Sequence, residues 1–449
     1  MIEAATRHRI GYIGGEPVRV NERIIDGQWI QYLGEYTELV KIPSFSFFKL
    51  FGGTIENWIK GFPDSLMDLS KRLADLCERY QIRTLYLNLP VIMPYLLMAR
   101  SSSGLDLGFL FLAHSVGSEF WIRKWIGCAP WLSERDVLLC STESSKQALL
   151  RISDNYRLAH LIPLSIAMGD FDIPGSESVN RQGKHLLAIG RIEDVKNIHV
   201  LLKGFKTICS KVPNVRLSIA GEYTGQSDHQ KQQYKHLLET MVNELELHNQ
   251  VVFVGAVEGE VKEELFRRAD LLVNLSTDPG ETFGYNLVEA KVWGLPVVCT
   301  NWDGFREVVL HGEDGFLVDC HWEQQVPRIQ IDQFIDYTVQ LLLDKRKRQQ
   351  FSRRAVEAAQ HYNYKRITPL IVSAVEESSR KSVCTQLNTD ELATSTPSDL
   401  LQIYHTENLK QFSFHSQSLL TIMSDTSSES LSEWMHLVKP VIQHFANKI

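Results

Sequence analysis

HLLAIGR, residues 185–191, followed by a helical pattern from Asn197 to about residue 210, is the stretch that decides the fold. A short apolar run of this kind predicts a buried strand, and the spacing of apolar residues after it predicts a helix. The alternation continues with strand-like runs at VRLSIAG (215–221), VVFVG (251–255), LLVNLST (271–277), PVVCT (296–300) and GFLVD (315–319). Strands that are apolar on both faces and alternate with helices are typical of a parallel sheet covered on both sides. We therefore predict a doubly wound Rossmann-like α/β domain whose ligand lies at the carboxyl ends of the strands.

The N-terminal part of the chain shows the same alternation less regularly. Strands are predicted by the apolar runs at 9–15, 37–43, 83–89, 107–114, 136–142 and 159–165. The sequence thus divides into an N-terminal α/β domain, a hinge, a second α/β domain, and a Ser/Thr-rich linker with a helical extension. These parts cover residues 1–165, 166–184, 185–380 and 381–449. A cleft between two such domains is a usual place for a ligand.

Composition narrows the class of protein. The 449 residues are 44% apolar and 22% charged, with 47 Lys and Arg against 54 Asp and Glu. The resulting charge of −7 argues against nucleic-acid binding by bulk electrostatics. Seven scattered cysteines without a CxxC pair, no secretory leader and no long apolar run favour a cytoplasmic location. The aromatic-rich segments 45–62 and 120–131 could line a cleft, touch a membrane surface peripherally, or simply belong to the core.

The segment DPGETFGYNLVEA, 278–290, carries two glutamates next to a glycine-containing turn. Glu281 would project from the loop, where its carboxylate can accept hydrogen bonds from vicinal hydroxyls. Glu289, expected two turns into the helix, could bind a second diol such as a ribose. A helix beginning here would direct backbone amides toward an anion, namely those of Thr282, Phe283, Gly284 and Tyr285. The alternative is a helix whose first turn is acidic only for capping reasons.

A second segment, GRIEDVKN, 190–197, directly follows the first strand of the second domain. Gly190 lets the backbone turn closely, while Arg191 and Lys196 offer two cations at the mouth of the sheet. Arginine can hold a diphosphate through two hydrogen bonds, and lysine can do so as a point charge. Either cation alone could be a solvated loop residue. Both segments lie at the same edge of one predicted sheet, which favours a ligand site.

These segments together resemble family 4 of the GT-B glycosyltransferases. The resemblance rests on GRIEDVKN, FVGAV, PGETFGYNLVEAKVWGLPVV and DGFREVVLHGEDGFLVD, which follow one another within 185–345. Upstream, LAHSVG (112–117) matches the family less closely. The resemblance implies two Rossmann-like domains facing a deep interdomain cleft. It also implies a retaining hexosyltransferase whose second domain binds a nucleotide-diphospho-sugar and whose first domain binds the acceptor.

The resemblance further implies roles for individual residues. Arg191 and Lys196 would hold the diphosphate, Glu281 the sugar hydroxyls, and Glu289 the ribose hydroxyls. The candidate catalytic residues are Glu281 and His114, the latter beside the donor sugar at the domain interface. The remaining candidates are the base-binding loop Gly255, Ala256 and Val257 and the acceptor-side pair Gly14 and Gly15. The expected donor is a UDP-sugar, with a GDP-sugar as second choice; the acceptor (saccharide, lipid or small molecule) and the oligomeric state stay open.

A metal ion and a cofactor are not expected. Asp170-Phe171-Asp172 forms a DxD triplet, but it falls in the interdomain loop. Arg191, Lys196 and a helix N-terminus could neutralise the departing diphosphate instead. Two alternatives remain open: a non-catalytic GT-B partner subunit, and a nucleotide-sugar epimerase on the same scaffold. An NAD-dependent dehydrogenase is disfavoured because no GxGxxG motif follows a predicted strand.

Overall fold

Two six-stranded parallel sheets organise the part of the chain that the computed structural model describes, which is residues 8–14, 28–89, 91–116, 119–168, 184–225, 227–278, 281–323 and 326–383. The chain divides into two compact units. The described residues of unit 1 lie within 8–165 and 364–383, and those of unit 2 lie within 166–363. Each unit therefore has its own sheet, and each has its own hydrophobic core.

Unit 1 is built on six strands: β1 (Arg9–Gly14), β2 (Glu38–Pro43), β3 (Thr84–Tyr86), β4 (Gly108–Leu112), β5 (Val137–Cys140) and β6 (His160–Leu161). The helices between them are α1 (Gln28–Tyr36), α2 (Ser44–Phe48), α3 (Ile55–Lys60), α4 (Asp64–Tyr80), α5 (Met93–Ser103), α6 (Glu119–Cys128) and α7 (Glu143–Ile152). Short 3₁₀ turns cover Lys49–Phe51, Ala129–Trp131 and Asp154–Leu158. The strands lie in the order β2-β1-β3-β4-β5-β6, and every neighbouring pair is parallel. This is a doubly wound sheet.

Unit 2 repeats the arrangement with β7 (His185–Ile189), β8 (Arg216–Ala220), β9 (Val251–Gly255), β10 (Leu271–Asn274), β11 (Val297–Thr300) and β12 (Gly315–Val318). Its helices are α8 (Ile198–Lys211), α9 (Asp228–Glu244), α10 (Gly259–Arg268), α11 (Tyr285–Val292), α12 (Phe305–Val308), α13 (Ile331–Leu343) and α14 (Lys345–Ala359), with 3₁₀ turns at Asp194–Lys196 and Gln360–Tyr362. The strands lie in the order β12-β11-β10-β7-β8-β9. An antiparallel hairpin of β13 (Cys320–Glu323) and β14 (Val326–Ile329) follows the sheet.

Strands inside both sheets, away from the edges, are buried on both faces. All residues of β4 are buried, as are all residues of β11. The edge strand β9, in contrast, leaves the Val252 side chain 57% exposed. Continuous apolar runs suit a parallel sheet because helices cover both of its faces. The predicted doubly wound α/β class is confirmed, and the predicted strands coincide with observed ones to within a few residues.

Two features differ from the sequence prediction. The hairpin β13–β14 was not predicted. The last helix, α15 (Tyr364–Ser379), belongs to unit 1, although the second domain was expected to extend to residue 380. The Tyr364 ring stacks on Tyr32 of α1 with a centroid distance of 4.1 Å, and its hydroxyl donates to Glu35 at 3.0 Å. Packing against α1 therefore decides where this helix belongs. Most of the expected hinge (169–183) and of the expected extension (384–449) lies outside the described residues.

The two aromatic-rich segments divide between core and surface. Phe47, Trp58 and Trp125 are buried, as an ordinary core requires. Phe45 and Phe48 of α2 are 71% and 56% exposed. Peripheral membrane contact through this exposed pair stays a prediction. In the helices that the structure describes, we find none both long and apolar enough to cross a membrane.

Candidate active site

The strand order of unit 2 changes direction between β7 and β10, which lie side by side. The chain runs from β7 to β8 toward one edge of the sheet and from β10 to β11 toward the other edge. The loops at the carboxyl ends of β7 and β10 therefore diverge and open a crevice. A cavity of about 210 Å³ occupies this position. Its polar lining comes from the end of β10 and from the chain after both strands, and it includes Arg191, Lys196, Asn274, Glu281, Tyr285 and Asn286.

Lys196 is the enclosed cation of this crevice. Its Nζ lies 2.5 Å from Glu281 Oε2, 2.9 Å from Asp278 Oδ2 and 3.3 Å from Ser276 Oγ. The Lys196 side chain is 14% exposed. Burial alone would lower the pKa of its ammonium group, but the Glu281 and Asp278 carboxylates hold that pKa above its ordinary value. Lys196 is therefore positively charged at physiological pH and is held directly against the predicted Glu281.

Arg191 is the more exposed cation of the crevice. Together with Lys196, Glu193, Asp278 and Glu281 it forms one charged cluster. Its Nη2 donates to Asp278 Oδ2 at 3.0 Å, and its Nη1 lies 2.7 Å from Glu193 Oε1. The Arg191 side chain is 49% exposed. Gly190 before it has φ +147°, a conformation that side chains disfavour, and this lets the chain turn directly after β7. The two predicted cations thus share one carboxylate oxygen of Asp278.

Asn197 holds the loop after β7 against the chain after β10. Its Nδ2 donates to the Leu275 carbonyl at 2.9 Å and to Thr277 Oγ1 at 2.8 Å. The Thr277 amide in turn donates to the Val195 carbonyl at 2.9 Å. These bonds flank Lys196 in sequence and hold its backbone, while Asp278 and Glu281 hold its ammonium group.

The turn before α11 is shaped by packing. Gly284 has φ +81°, and a Cβ at this position would lie 2.6 Å from the Phe305 ring. Phe283 is buried, and its ring meets Tyr362 edge-on at 5.4 Å. Of the four residues whose amides were expected to face an anion, Tyr285 lines the cavity. Thr282, Phe283 and Gly284 are buried beside it and are not among the described residues that form the lining.

Glu289 lies one turn into α11 rather than the predicted two, because the helix begins only at Tyr285. Its Oε1 is 2.5 Å from Nζ of Lys262 on α10, and the two side chains are 16% and 20% exposed. Burial raises the pKa of the Glu289 carboxyl above its ordinary value, and the Lys262 ammonium opposes that shift. Among the described residues, Glu289 is outside the lining of the cavity that contains Glu281.

The loop Gly255–Val257 lies farther along the same sheet edge. It follows β9, which is separated from β7 by β8. Gly255 and Ala256 are exposed, and the Gly255 carbonyl accepts a hydrogen bond from the Gly221 amide at 2.7 Å. The loop lies outside the described lining of the cavity, so its contact with a base stays a prediction.

Three polar residues at the crevice were not predicted: Asn274 and Asn286 line the cavity, and Asp278 contacts its two cations. Asp278 binds both cations, as described above. Asn286 Nδ2 donates to the Ile189 carbonyl at 2.6 Å, and its Oδ1 accepts from Asn274 Nδ2 at 3.3 Å. Asp278 and Asn286 both belong to the segment 278–290. The third residue, Asn274, could have been identified because it is a polar residue at the end of an otherwise apolar strand.

In unit 1 the carboxyl ends of β3 and β4 bring His114 next to Asn88. Asn88 Nδ2 and His114 Nε2 lie 2.7 Å apart. Each residue lies two positions beyond its strand, and the two strands are neighbours. Asn88 was not predicted. Gly14 ends β1 at the same sheet edge, and Gly15 lies outside the described residues.

The proposed absence of a metal site stays a prediction. Asp170, Phe171 and Asp172 all lie outside the described residues. Within the described ranges, no group of three or more His, Cys, Asp or Glu residues is placed to hold a metal ion.

Residues 171–357 match the sequence profile of the family described as Glycosyl transferases group 1. This part of the chain belongs to that family. The matched range contains all the charged residues of the crevice, from Arg191 to Glu281, and also the Lys262–Glu289 pair. The group 1 glycosyltransferase region thus accounts for most of unit 2, whereas His114, Asn88 and Gly14 precede it.

Two curated relatives match parts of the chain. D-inositol 3-phosphate glycosyltransferase from Pseudarthrobacter chlorophenolicus is 33% identical over 139 residues, which cover 30% of this chain and 31% of that protein. Phosphatidyl-myo-inositol mannosyltransferase from Mycolicibacterium smegmatis is 27% identical over 238 residues, 52% of this chain and 56% of that protein. The chain therefore matches about a third to just over a half of the length of these glycosyltransferases.

A solved structure extends the comparison to both units. The crystal structure of Anabaena HepE in complex with UDP and glucose aligns with a TM-score of 0.61 at 18% sequence identity. The alignment covers 82% of this chain and 100% of that one. At this level of identity the likeness concerns the fold alone. The predicted GT-B fold is confirmed by it.

Proposed function

We propose that the protein is a retaining hexosyltransferase that moves a hexose from a nucleotide-diphospho-sugar to a saccharide, lipid or small-molecule acceptor. Unit 2 binds the donor, and unit 1 binds the acceptor. A UDP-sugar is the favoured donor and a GDP-sugar the second choice. Membership of residues 171–357 in the group 1 glycosyltransferases supports the reaction class. The shared fold with HepE, which was solved with UDP and glucose, supports the choice of UDP.

The observation that carries this proposal is the meeting of Lys196, Arg191 and Glu281 at the crevice of unit 2. Two cations suit a diphosphate, because charge-assisted hydrogen bonds to phosphate oxygens are among the stronger contacts in proteins. A carboxylate beside them can accept hydrogen bonds from sugar hydroxyls. The cluster is therefore complementary to the two ends of a sugar–diphosphate linkage.

The same residues can promote transfer. As the bond between the sugar and the phosphate breaks, negative charge builds on the leaving diphosphate. Lys196 and Arg191 are already in place to neutralise that charge, which is how preorganised electrostatics accelerate a reaction. They supply the positive charge that a divalent metal could otherwise provide, so we expect metal-independent transfer. The acceptor attacks from the face on which the diphosphate leaves, and the anomeric configuration is retained.

The remaining roles follow the family resemblance. Glu289 accepts hydrogen bonds from the ribose hydroxyls, and the loop Gly255–Val257 contacts the base through its backbone. His114 is the second catalytic residue. Gly14 and Gly15 belong to the acceptor side.

A screen of UDP-, GDP- and ADP-sugars for thermal stabilisation, followed by product analysis of the donor that binds, tests the proposal. We expect stabilisation by one class of donor and slow release of nucleoside diphosphate, with a released or transferred sugar of unchanged anomeric configuration. Excess EDTA should leave most of this activity intact. An isomerised nucleotide-sugar without nucleoside diphosphate release would identify an epimerase. Donor binding without turnover toward any saccharide, lipid or water would favour a non-catalytic subunit.

A further inference from the structure

Asp278 occupies the centre of the charged cluster without having a role in the proposed reaction. Its Oδ2 atom lies 2.9 Å from Lys196 Nζ and 3.0 Å from Arg191 Nη2. A single carboxylate oxygen thus binds both cations that the proposed function assigns to the diphosphate. The Asp278 side chain is 14% exposed, so solvent screens these contacts only in part.

The backbone of Asp278 is anchored independently of its side chain. Its amide donates to Ser276 Oγ at 3.2 Å, and its carbonyl accepts from Trp302 Nε1 at 3.0 Å and from the Glu281 amide at 3.0 Å. These bonds hold the residue in place whatever its carboxylate contacts. The side chain can therefore change partners by rotation while the loop keeps its course.

Charge counting shows the consequence for an anionic ligand. Three carboxylates, those of Glu193, Asp278 and Glu281, contact the two cations Arg191 and Lys196. The cluster is thus slightly negative before any ligand arrives. A diphosphate gains contacts to Lys196 and Arg191 only by taking the place of an existing carboxylate or by lying next to it, and like charges so close repel one another.

We propose that Asp278 is an internal counter-anion that competes with the diphosphate of the donor for Lys196 and Arg191. This inference rests on the proposed function and deepens it. In the free protein, the Asp278 carboxylate keeps both cations paired and in position. An incoming diphosphate displaces it, and the carboxylate returns as the nucleoside diphosphate leaves. Asp278 therefore weakens binding of the charged product and speeds its release, while ligands without phosphate are unaffected.

The alternative role for Asp278 is that of a positioning residue that a diphosphate needs. In that case the carboxylate would stay bound to both cations and hold them in the geometry that phosphate oxygens require. The two roles predict opposite effects of neutralising the side chain. Asp278→Asn serves as the test because asparagine has nearly the same shape and leaves the backbone anchors unchanged.

Two measurements on the full chain decide between the competitor role and the positioning role of Asp278: calorimetry and stopped-flow dissociation, each with UDP, GDP and uridine. We expect Asp278→Asn to tighten binding of the preferred nucleoside diphosphate about 10-fold, chiefly through slower dissociation. Uridine binding should stay the same. Asp194→Asn is the matched control, because Asp194 lies in the 190–197 loop that carries Arg191 and Lys196 but is 83% exposed, and its carboxylate is near His199. Its effect should be less than 2-fold.

Each other outcome has a definite meaning. Unchanged or weaker nucleotide binding in Asp278→Asn would overturn the competitor role and leave the proposed function standing. A similar gain in nucleotide affinity in Asp194→Asn would show that removing any negative charge near the site has this effect. That result would also overturn the competitor role. If neither the folded wild-type protein nor folded Asp278→Asn binds a nucleoside diphosphate, the proposed function is overturned together with this inference.

Discussion

Two lysine–carboxylate pairs of unit 2 have nearly the same geometry and very different surroundings. Lys196 Nζ lies 2.5 Å from Glu281 Oε2, and Lys291 Nζ lies 2.6 Å from Asp314 Oδ2. The first pair keeps 14% and 19% of its side-chain surface exposed, whereas both members of the second are 0% exposed. Burial lowers the pKa of the Lys291 ammonium despite the nearby Asp314, while the pKa of Lys196 is raised.

The difference in exposure separates a charged pair that only joins parts of the fold from one that a ligand can reach. Lys291 also donates to the Val308 carbonyl, and Asp314 Oδ1 accepts from the Leu310 amide at 3.0 Å. The Lys291–Asp314 pair, called here the sealed pair, therefore joins α11, α12 and the turn before β12, and no ligand can reach it. The Lys196–Glu281 pair, called here the open pair, borders a cavity. Either of its side chains can therefore exchange its contact for one with a ligand. Distance alone does not separate a structural pair from a binding pair; access does.

Replacing the sealed lysine should give the largest effect. Lys291→Met leaves the Asp314 carboxylate buried without its cation, and we expect the free energy of unfolding to fall by about 3–5 kcal/mol. Chemical denaturation of the purified chain measures this loss. Lys291→Met combined with Asp314→Leu should recover most of it, because the double variant leaves no uncompensated charge. A single variant as stable as the wild type would show that the pair is not sealed.

At the open pair we expect a loss of affinity instead of stability. Lys196→Met should weaken binding of the preferred nucleoside diphosphate by about 150-fold, since a charge-assisted contact in a partly desolvated site is worth about 3 kcal/mol. The free energy of unfolding should fall by less than in Lys291→Met, because the Asp278 and Glu281 side chains keep 14% and 19% of their surface exposed and water can reach them in part. Calorimetry and denaturation on the same preparation measure both quantities. Lys203→Met, at an exposed position of α8, is the control. Affinity like that of the wild type would argue against a binding role for Lys196.

His114 extends the comparison to a site outside the charged cluster. His114→Ala should lower kcat by about 100-fold and leave nucleotide affinity nearly unchanged, as expected for a group that acts mainly in the transition state. Steady-state kinetics and calorimetry together measure the two effects. Asn88→Ser removes the contact with His114 Nε2 and should give a smaller loss of kcat. A near-normal kcat in His114→Ala would return the residue to a structural role.

The Lys262–Glu289 pair is about as exposed as the Lys196–Glu281 pair, but it lies outside the described lining of the cavity. Its effect should be the smallest. Lys262→Met should weaken nucleotide binding about 10-fold near neutral pH. Burial already raises the pKa of Glu289, and removing the ammonium that opposes this shift raises it further. In the proposed function the ionised carboxylate accepts hydrogen bonds from the ribose, so affinity should fall as pH decreases through that pKa. The acidic loss of binding should therefore begin at a higher pH in the variant.

Calorimetry across a pH series tests this shift. Lys262→Arg, which keeps the positive charge, should follow the wild-type profile closely. Identical pH profiles for Lys262→Met and the wild type would remove Glu289 from the nucleotide site.

Much of the fold could be predicted from local pattern. The apolar runs around β7, β8 and β10 are buried on both faces, so their composition reflects their place in the sheet directly. The hairpin β13–β14 was missed because its strands are short and not continuously apolar. The place of α15 was also missed, because it depends on Tyr364 meeting Tyr32 more than 300 positions away.

The sequence by itself determined the two parallel sheets and the segments that contain the cations and Glu281. Periodicity is a local property of the chain, and residues that follow parallel strands must gather at one sheet edge. Only the tertiary structure decided which charges touch: that Asp278 binds both Arg191 and Lys196, that Glu289 pairs with Lys262, and that Lys291 is sealed while Lys196 is not. The reason is physical. Pairing and burial depend on side chains from distant loops, and identical residues acquire opposite roles when packing either admits or excludes water.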